Sequence, residues 1–193
     1  MKKQAITFGR YNMLTNAHLS TVSEILTKWD KLTIGVYDFN IKRPLNLNEK
    51  WNEFYSMCDK NCQPESNDLS LESRIKMWEI LVKERGLDGR LEIVPIKRVE
   101  YDVSNFNTKF PKEKYDLVFP KSPQERNSFD LLRNEAFKDI LGREIHFVTP
   151  SLTLHTSQIK KQICLGDTWG NYLPREIYEY LVVKNIINKP LGE

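Results

Sequence analysis

The feature that most constrains the fold is a strand, a tight loop and a helix near the start of the chain, followed at once by a second strand. Ala5 to Phe8 is a short apolar run rich in β-forming residues, and Gly9 marks a turn of the backbone. Ala17 to Leu26 carries apolar residues at helical spacing, with Asn16 as the expected N-cap. Leu32 to Tyr37 is a continuous apolar run typical of a strand buried on both faces of a parallel sheet. The pattern predicts a βαβ unit.

The rest of the chain continues this alternation. Further strands are predicted at 91–96, 115–119 and 144–148, and further helices at 70–85, 129–141, 156–163 and 175–188. Pro95 indicates that the third strand either lies at an edge of the sheet or ends there. Five strands alternating with helices predict an α/β, Rossmann-like, doubly wound five-stranded parallel sheet with helices on both faces.

The domain organisation follows from the same pattern. We expect a single domain over residues 1–193, with an insertion at about 38–68 and a C-terminal helical segment at about 156–190. The insertion is rich in Asn and Asp, so we predict a loop with a short helix around 49–57. Residues 97–114 are predicted to be a polar loop, and His146 a packed histidine within the fifth strand.

Composition excludes several classes of protein. A hydrophobic share of 40% and a charged share of 28% are ordinary for a globular domain. No run approaches the about 18 apolar residues of a membrane span, and no signal-peptide core follows Met1, so we expect a cytoplasmic protein that binds no membrane. A net charge of +3 is too small to indicate a nucleic-acid partner. Cys58 and Cys62 lack a second Cys/His pair, so no metal site is predicted.

The loop after the first strand is suited to binding phosphate. A strand–loop–helix junction presents unpaired backbone N–H groups and the positive end of a helix dipole at the carboxyl end of a strand. The side chains of Arg10, Thr15 and His18 fall at the same place. A second helix begins near Thr156 or Ser157, so hydroxyl groups and backbone N–H groups are expected to converge there as well.

At these two places the residues resemble a known family. Gly9-Arg-Tyr-Asn-Met-Leu-Thr-Asn-Ala-His18 resembles the first signature of the nucleotidyltransferase superfamily, G-x-F-[ND]-P-x-[HT]-x-x-H, and is most similar to the Thr-first variant of nicotinamide and nicotinate mononucleotide adenylyltransferases. The second signature is I-S-S-T-x-I-R, followed by Gly and Y-L-V-P. Here Leu154-His-Thr-Ser-Gln-Ile-Lys160 is followed by Gly166 and Tyr172-Leu-Pro174. Two matches in the right order are stronger than either alone.

The resemblance implies a reaction and a set of site residues. A phosphate oxygen of an acceptor would attack the α-phosphate of a nucleoside triphosphate, and pyrophosphate would leave. The implied catalytic residues are His18, Thr15 and Lys160, and the implied nucleotide-binding residues are Phe8, Gly9, Arg10, Tyr11, Thr156 and Ser157. Mg²⁺ is expected to bind with the triphosphate, held by phosphate oxygens and water.

Arg74 is a further candidate, for the acceptor. The run from Ser70 to Met77 resembles the family's R-x-x-M helix start, which lies near the acceptor pocket, so Arg74 is predicted to bind the acceptor. The alternative for this residue is a charge on the solvated face of a helix.

Departures from the family pattern leave alternatives open. Met13 replaces Pro, Ala17 replaces Gly, Lys160 replaces Arg, and the G-x-D…W segment after the fourth strand is absent. Transfer of AMP from ATP to a phosphorylated acceptor such as nicotinamide mononucleotide is the leading interpretation. A cytidylyltransferase acting on a phosphorylated alcohol, sugar or phosphonate shares the core, and a non-catalytic nucleotide-binding protein is the third alternative. The sequence leaves open whether the chain forms a homo-oligomer.

Overall fold

Five parallel strands form the centre of the protein. The computed structural model describes residues 3–40, 42–62, 69–121, 128–153 and 156–187. The strands are β1 (Gln4–Gly9), β2 (Leu32–Asp38), β3 (Leu91–Lys97), β4 (Tyr115–Pro120) and β5 (Ile145–Val148), and every pairing between them is parallel. The predicted doubly wound α/β sheet is therefore confirmed.

Helices follow the strands along the chain. Those in the described residues are α1 (Asn16–Lys28), α2 (Asn52–Asn61), α3 (Leu71–Glu84), α4 (Val103–Lys109), α5 (Ser128–Leu141), α6 (Thr156–Cys164) and α7 (Arg175–Val183). None of the described helices is both long enough and apolar enough to span a bilayer. Asn16 is the first helical residue of α1, and Thr15, in extended conformation, is the N-cap. The prediction of Asn16 as the cap was wrong by one residue.

The strand order is β3-β2-β1-β4-β5. The chain runs from β1 outwards to β3 and then returns to the other side of β1, so the direction of winding reverses between β1 and β4. Ligands of open α/β sheets bind at such a reversal, beside the carboxyl ends of the strands. Pro95 lies on β3, which is an edge strand, as predicted. Proline has no backbone N–H, and an edge strand tolerates this because it has a neighbouring strand on one side only.

Each face of the sheet buries its own apolar cluster. On one face, Ile34 and Val36 pack with buried residues of α1, α3 and α7. On the other face, Phe8 and Tyr37 pack with buried residues of α2, α4 and α5. Gly35 permits a close approach on this second face, because a Cβ there would lie 2.4 Å from Cδ1 of Ile96.

Two predicted loops contain helices that pack into the core. The insertion at 38–68 carries α2, preceded by a 3₁₀ turn, and Trp51, Phe54 and Tyr55 are buried. The segment 97–114 carries α4, whose Phe106 is buried. The short helix predicted around 49–57 is present and extends to Asn61. The prediction of 97–114 as a polar loop was wrong, because Val103, Phe106 and Phe110 recur at helical spacing among many polar residues. His146 is half-exposed rather than buried, since 48% of its side chain is exposed, and its ring lies edge-on to Trp29 at 6.0 Å.

Candidate active site

A cavity of about 510 Å³ lies at the carboxyl ends of β1 and β4, where the direction of winding reverses. One side, which we name the loop wall, consists of Thr7–Met13, His18, Thr21, Val22 and Trp78. The other lining residues, which we name the aromatic wall, are Tyr37, Cys58, Asn61, Cys62, Glu100, Phe119, Pro120, Phe129, Arg133 and Phe137. The predicted phosphate loop therefore borders a cavity at the ligand-binding end of the sheet.

A second depression, of about 620 Å³, lies at the opposite end of the sheet. Lys3, Tyr115 and His146 line it, at or just before the amino ends of their strands. Both lysines and carboxylates line it, and two of the lysines form ion pairs: Lys3 with Asp116 and Lys138 with Glu144. Because ligands of this architecture bind at the carboxyl ends of the strands, we assign the functional site to the first cavity.

His18 is held in one orientation by the residue that caps its helix. The backbone N–H of Thr15 donates to Nδ1 of His18 over 3.1 Å, and the Thr15 hydroxyl oxygen lies 2.9 Å from the same nitrogen. A backbone N–H can only donate, so Nδ1 is the acceptor and the neutral ring carries its proton on Nε2. The imidazole of this cavity residue is thus prepared to act as a hydrogen-bond donor through Nε2.

Tyr11 adopts a strained backbone conformation in the loop wall. Its φ angle is +47°, in the left-handed region that bulky residues rarely occupy. The ring packs edge-on against Trp78 and His18, with centroid separations of 5.1 Å and 5.5 Å. Burial raises the pKa of the Tyr11 hydroxyl, and a hydrogen bond with Thr7 partly opposes this. Strain of this kind is concentrated at functional sites.

The side chain of Arg74 forms hydrogen bonds with three backbone carbonyls around the loop wall. It is 2% exposed, and its guanidinium donates to the carbonyl oxygens of Leu69 (3.2 Å), Arg10 (2.7 Å) and Tyr37 (2.8 Å). Burial lowers its pKa from the ordinary value. The alternative of a solvated helix charge was therefore wrong, and Arg74 is absent from the residues that line the cavity. Its contact with an acceptor stays a prediction.

An ion-pair network lies behind the aromatic wall. Arg98 is 5% exposed and donates from Nε to Glu100 (2.8 Å) and from Nη1 to Asp59 (2.6 Å). The Tyr101 hydroxyl donates to the same Asp59 oxygen over 2.7 Å. Burial alone would raise the pKa of Asp59, but hydrogen bonds from Tyr101 and Arg98 hold it below its ordinary value. The network fixes Glu100 at the surface of the cavity.

A cation and several aromatic rings complete the aromatic wall. Arg133 pairs through Nη1 with Asp130 at 3.0 Å, and its guanidinium lies 5.3 Å from the ring centre of Phe119. Burial lowers the pKa of Arg133. The rings of Phe119 and Phe137 stack at 6.1 Å, which gives this wall flat apolar surfaces beside a positive charge. Such a surface suits a planar ring linked to a phosphate.

Segments from the two regions that resemble the family signatures meet at the first turn of α1. The backbone N–H of Asn16 donates to the carbonyl of Tyr172 over 2.9 Å, which joins the second signature to the residue next to Thr15. Ser20, one turn further on, contacts the hydroxyl of Ser151 at 2.9 Å, in the segment that leads from β5 towards α6. Residues more than 130 positions apart in the sequence are thus brought together beside His18.

The structure places the predicted residues as follows. Phe8, Gly9, Arg10, Tyr11 and His18 line the cavity. Thr15 is 1% exposed and contacts His18, and it is not among the lining residues. Thr156, Ser157 and Lys160 belong to α6, but their side chains lie outside the described residues, so the predictions for them stay predictions.

Sequence analysis missed the aromatic wall. Cys58 and Cys62 follow Trp51, Phe54 and Tyr55 at helical spacing, so the periodicity of α2 was a usable signal. Glu100 and Arg133 carried no comparable signal, because their places in the cavity depend on how separate elements pack.

The described residues contain no group of three or more His, Cys, Asp or Glu side chains able to hold a metal ion. Glu100, a carboxylate that lines the cavity, is paired with Arg98. Binding of Mg²⁺ with a triphosphate stays a prediction.

Solved structures share this fold, including the following two. A protein from Vibrio parahaemolyticus assigned as a nicotinate-nucleotide adenylyltransferase matches with a TM-score of 0.57 at 16% identity, over 94% of this chain and 99% of that chain. A bifunctional NMN adenylyltransferase/ADP ribose pyrophosphatase from Francisella tularensis matches with a TM-score of 0.61 at 14% identity, over 97% of this chain. The match spans 51% of the length of that second protein.

No family model matches the chain, and no curated protein matches it by sequence. At 14–16% identity the likeness to the two solved structures concerns the fold. The fold that the sequence resemblance implied is confirmed: the chain has the α/β architecture of these two adenylyltransferase structures.

Proposed function

We propose that the protein is a nucleotidyltransferase that transfers AMP from ATP to a phosphorylated acceptor such as nicotinamide mononucleotide and releases pyrophosphate. An acceptor phosphate oxygen forms a new bond to the α-phosphorus, and the bond from that phosphorus to the bridging oxygen breaks. The electron pair leaves with pyrophosphate. Catalysis then consists of holding the two substrates in line and stabilising the charge on the phosphates.

One observation carries the proposal. His18 lines a cavity at the point where the sheet reverses its winding, and Thr15 orients it so that Nε2 is the donor. The segment containing Tyr172 contacts the same turn of the helix. The segment that resembles the end of the second signature therefore lies beside the helix that carries His18, which supports one shared triphosphate site.

The chain supplies the remaining parts as follows. Nε2 of His18 would donate to a non-bridging oxygen of the α-phosphate as negative charge increases in the transition state. Arg10 is exposed, contacts Asn61 through Nη1, and would contact the triphosphate through its other N–H groups. The amino end of α6, with Thr156, Ser157 and Lys160, would hold the departing pyrophosphate.

Mg²⁺ belongs to this proposal as a counter-ion bound to the triphosphate. When bound there, it would neutralise charge on the phosphate oxygens. Arg10, Arg133 and His18 would share that neutralisation from the protein side.

The experiment is to measure pyrophosphate release from ATP and Mg²⁺ with a panel of phosphorylated acceptors. We expect release that depends on nicotinamide mononucleotide and ceases when it is omitted. ATP binding without turnover on any acceptor would instead support the non-catalytic nucleotide-binding protein, for which Met13, Ala17 and Lys160 are the motivating departures.

The cytidylyltransferase alternative differs only in the base and in the acceptor. A thermal-shift comparison separates the two, because a ligand that binds the folded state raises its apparent stability. We expect ATP to raise the unfolding midpoint more than CTP at equal concentration. A larger shift with CTP would reverse the assignment of the nucleotide.

A further inference from the structure

Glu100 is a buried carboxylate on the surface of the cavity. The residue is 2% exposed and lines the aromatic wall. Its Oε1 accepts from Nε of Arg98 at 2.8 Å, whereas its Oε2 has, among the described residues, only the Tyr37 hydroxyl at 3.5 Å. That distance is at the outer limit of a hydrogen bond. Oε2 is therefore an acceptor that a ligand donor would satisfy.

The surroundings of Glu100 suit a flat aromatic ring. Tyr37 and Phe8 stack with their ring centres 5.6 Å apart, and Phe119 meets Phe8 edge-on at 5.1 Å. All three rings line the cavity. A heteroaromatic ring could pack against these faces and direct an N–H₂ group to Oε2 of Glu100.

The sheet order places Glu100 on the acceptor side. Glu100 follows β3, at one edge of the sheet, whereas α6 follows β5, at the other edge, with β1 and His18 between them. In the proposed function the triphosphate extends from His18 towards α6. The ring of the second substrate then lies on the side of Glu100.

We propose that Glu100 determines acceptor specificity: it accepts a hydrogen bond from the N–H₂ group of a ring amide and excludes a ring that carries a carboxylate. This inference rests on the proposed function and makes the acceptor nicotinamide mononucleotide rather than nicotinate mononucleotide. A carboxylate in the same position would face a second carboxylate at short range in a water-poor site. It would also offer no donor to Oε2.

The cations of the cavity do not reverse this expectation. Arg98 is engaged by Glu100 and by Asp59, and Arg133 is paired with Asp130 at 3.0 Å. Arg10 lies in the loop wall and is exposed, at the place assigned to the triphosphate. Asp59 is also paired with Arg43 at 3.0 Å, so the network holds two cations and two carboxylates. The expected selectivity therefore comes from Oε2 of Glu100, which can accept a hydrogen bond but cannot donate one.

The test compares binding of nicotinamide mononucleotide and nicotinate mononucleotide by calorimetry to the wild-type protein and to Glu100→Gln. Gln keeps an acceptor for Arg98 but removes the charge. We expect the wild type to bind the amide at least about 100-fold more tightly, since a site built around a polar contact rejects an analogue that cannot make it. In Glu100→Gln the preference should fall below about tenfold.

Two further variants make the comparison specific. Glu92→Gln removes an exposed carboxylate on β3 and should leave the preference unchanged. Glu100→Asp keeps the charge but withdraws it by one methylene, so it should still reject the nicotinate while binding the nicotinamide more weakly. An unchanged preference in Glu100→Gln, equal binding of both acceptors to the wild type, or binding of neither would overturn the inference.

An amino group of the nucleotide base offers the same chemistry, so the experiment includes ATP and inosine triphosphate, which lacks the amino group. In Glu100→Gln, the ratio of the affinities for ATP and inosine triphosphate could change while the preference between the two acceptors stays intact. That result would place the nucleotide base at Glu100 and overturn the acceptor assignment. Binding is measured without turnover. Selective binding of the amide with no pyrophosphate release would therefore contradict the proposed function and leave the role of Glu100 standing.

Discussion

The two walls of the cavity are assembled in different ways. The loop wall comes almost entirely from one stretch of chain, residues 7–22, with Trp78 behind it. The aromatic wall gathers single residues from between positions 37 and 137, contributed by two strands, two helices and a loop. A contiguous wall can be identified from local sequence, whereas a gathered wall exists only after the core has packed.

The walls also differ in how their polar groups are satisfied. In the loop wall, His18 and Tyr11 are fixed by neighbours a few residues away, so a local motif carries the geometry. In the aromatic wall, Glu100 depends on Arg98, and Arg98 depends on Asp59 from another element. We therefore expect changes in the loop wall to affect turnover, and changes behind the aromatic wall to affect stability and substrate choice.

The largest expected effect is on turnover. His18→Ala removes the proposed donor to the α-phosphate, so kcat should fall about 100- to 1,000-fold, as for the loss of one transition-state donor. Steady-state pyrophosphate release measures it. His146→Ala is the matched control, because His146 lies half-exposed at the opposite end of the sheet. If both variants turn over like the wild type, His18 takes no part in the chemistry.

The next effect concerns the backbone beneath the loop wall. Arg74→Lys replaces a planar guanidinium, which donates to three backbone carbonyl oxygens, with a single ammonium group. The free energy of unfolding should fall by about 2–3 kcal/mol, as measured by urea denaturation. Arg175→Lys, on the exposed face of α7, should leave the midpoint unchanged. Wild-type stability in Arg74→Lys would show that the three contacts contribute little.

The network behind the aromatic wall should appear in the pH dependence of stability. The folded state holds the pKa of Asp59 below its ordinary value. Asp59 therefore stabilises the fold above the unfolded pKa of about 4, and this is lost as pH falls through the folded pKa. Asp59→Asn should reduce stability by about 1–2 kcal/mol at pH 7, with the difference from wild type vanishing in acid. A difference independent of pH would contradict the ion-pair account, and exposed Asp88→Asn is the control.

The smallest expected effect tests whether Thr15 acts as a positioning residue for His18. Thr15→Val keeps the backbone N–H to Nδ1 of His18 but removes the hydroxyl contact at 2.9 Å. Loss of this contact should raise the activation free energy by about 1 kcal/mol and so lower kcat about fivefold. KM for ATP should stay near its wild-type value. Thr15→Ser should restore kcat. Wild-type kcat in Thr15→Val would show that the hydroxyl contact does not contribute to orienting His18.

The fold could be predicted from sequence because its strands are continuous apolar runs separated by clear helical patterns. The loop wall could be predicted because Gly9 to His18 form one local motif. The burial of Arg74 could not, since its three acceptors come from segments that only the folded chain brings together. Helix α2 was underestimated for a different reason: its core residues were visible at helical spacing, but the surrounding Asn and Asp residues favoured a loop.

The most direct test of the account is a structure with ATP, or an analogue that resists α–β cleavage, bound in the presence of Mg²⁺. The account predicts the triphosphate in the cavity at the ends of β1 and β4, with Nε2 of His18 within about 3 Å of an α-phosphate oxygen and the β- and γ-phosphates at the amino end of α6. Nucleotide bound elsewhere, or bound here with His18 facing away from the phosphates, would contradict it.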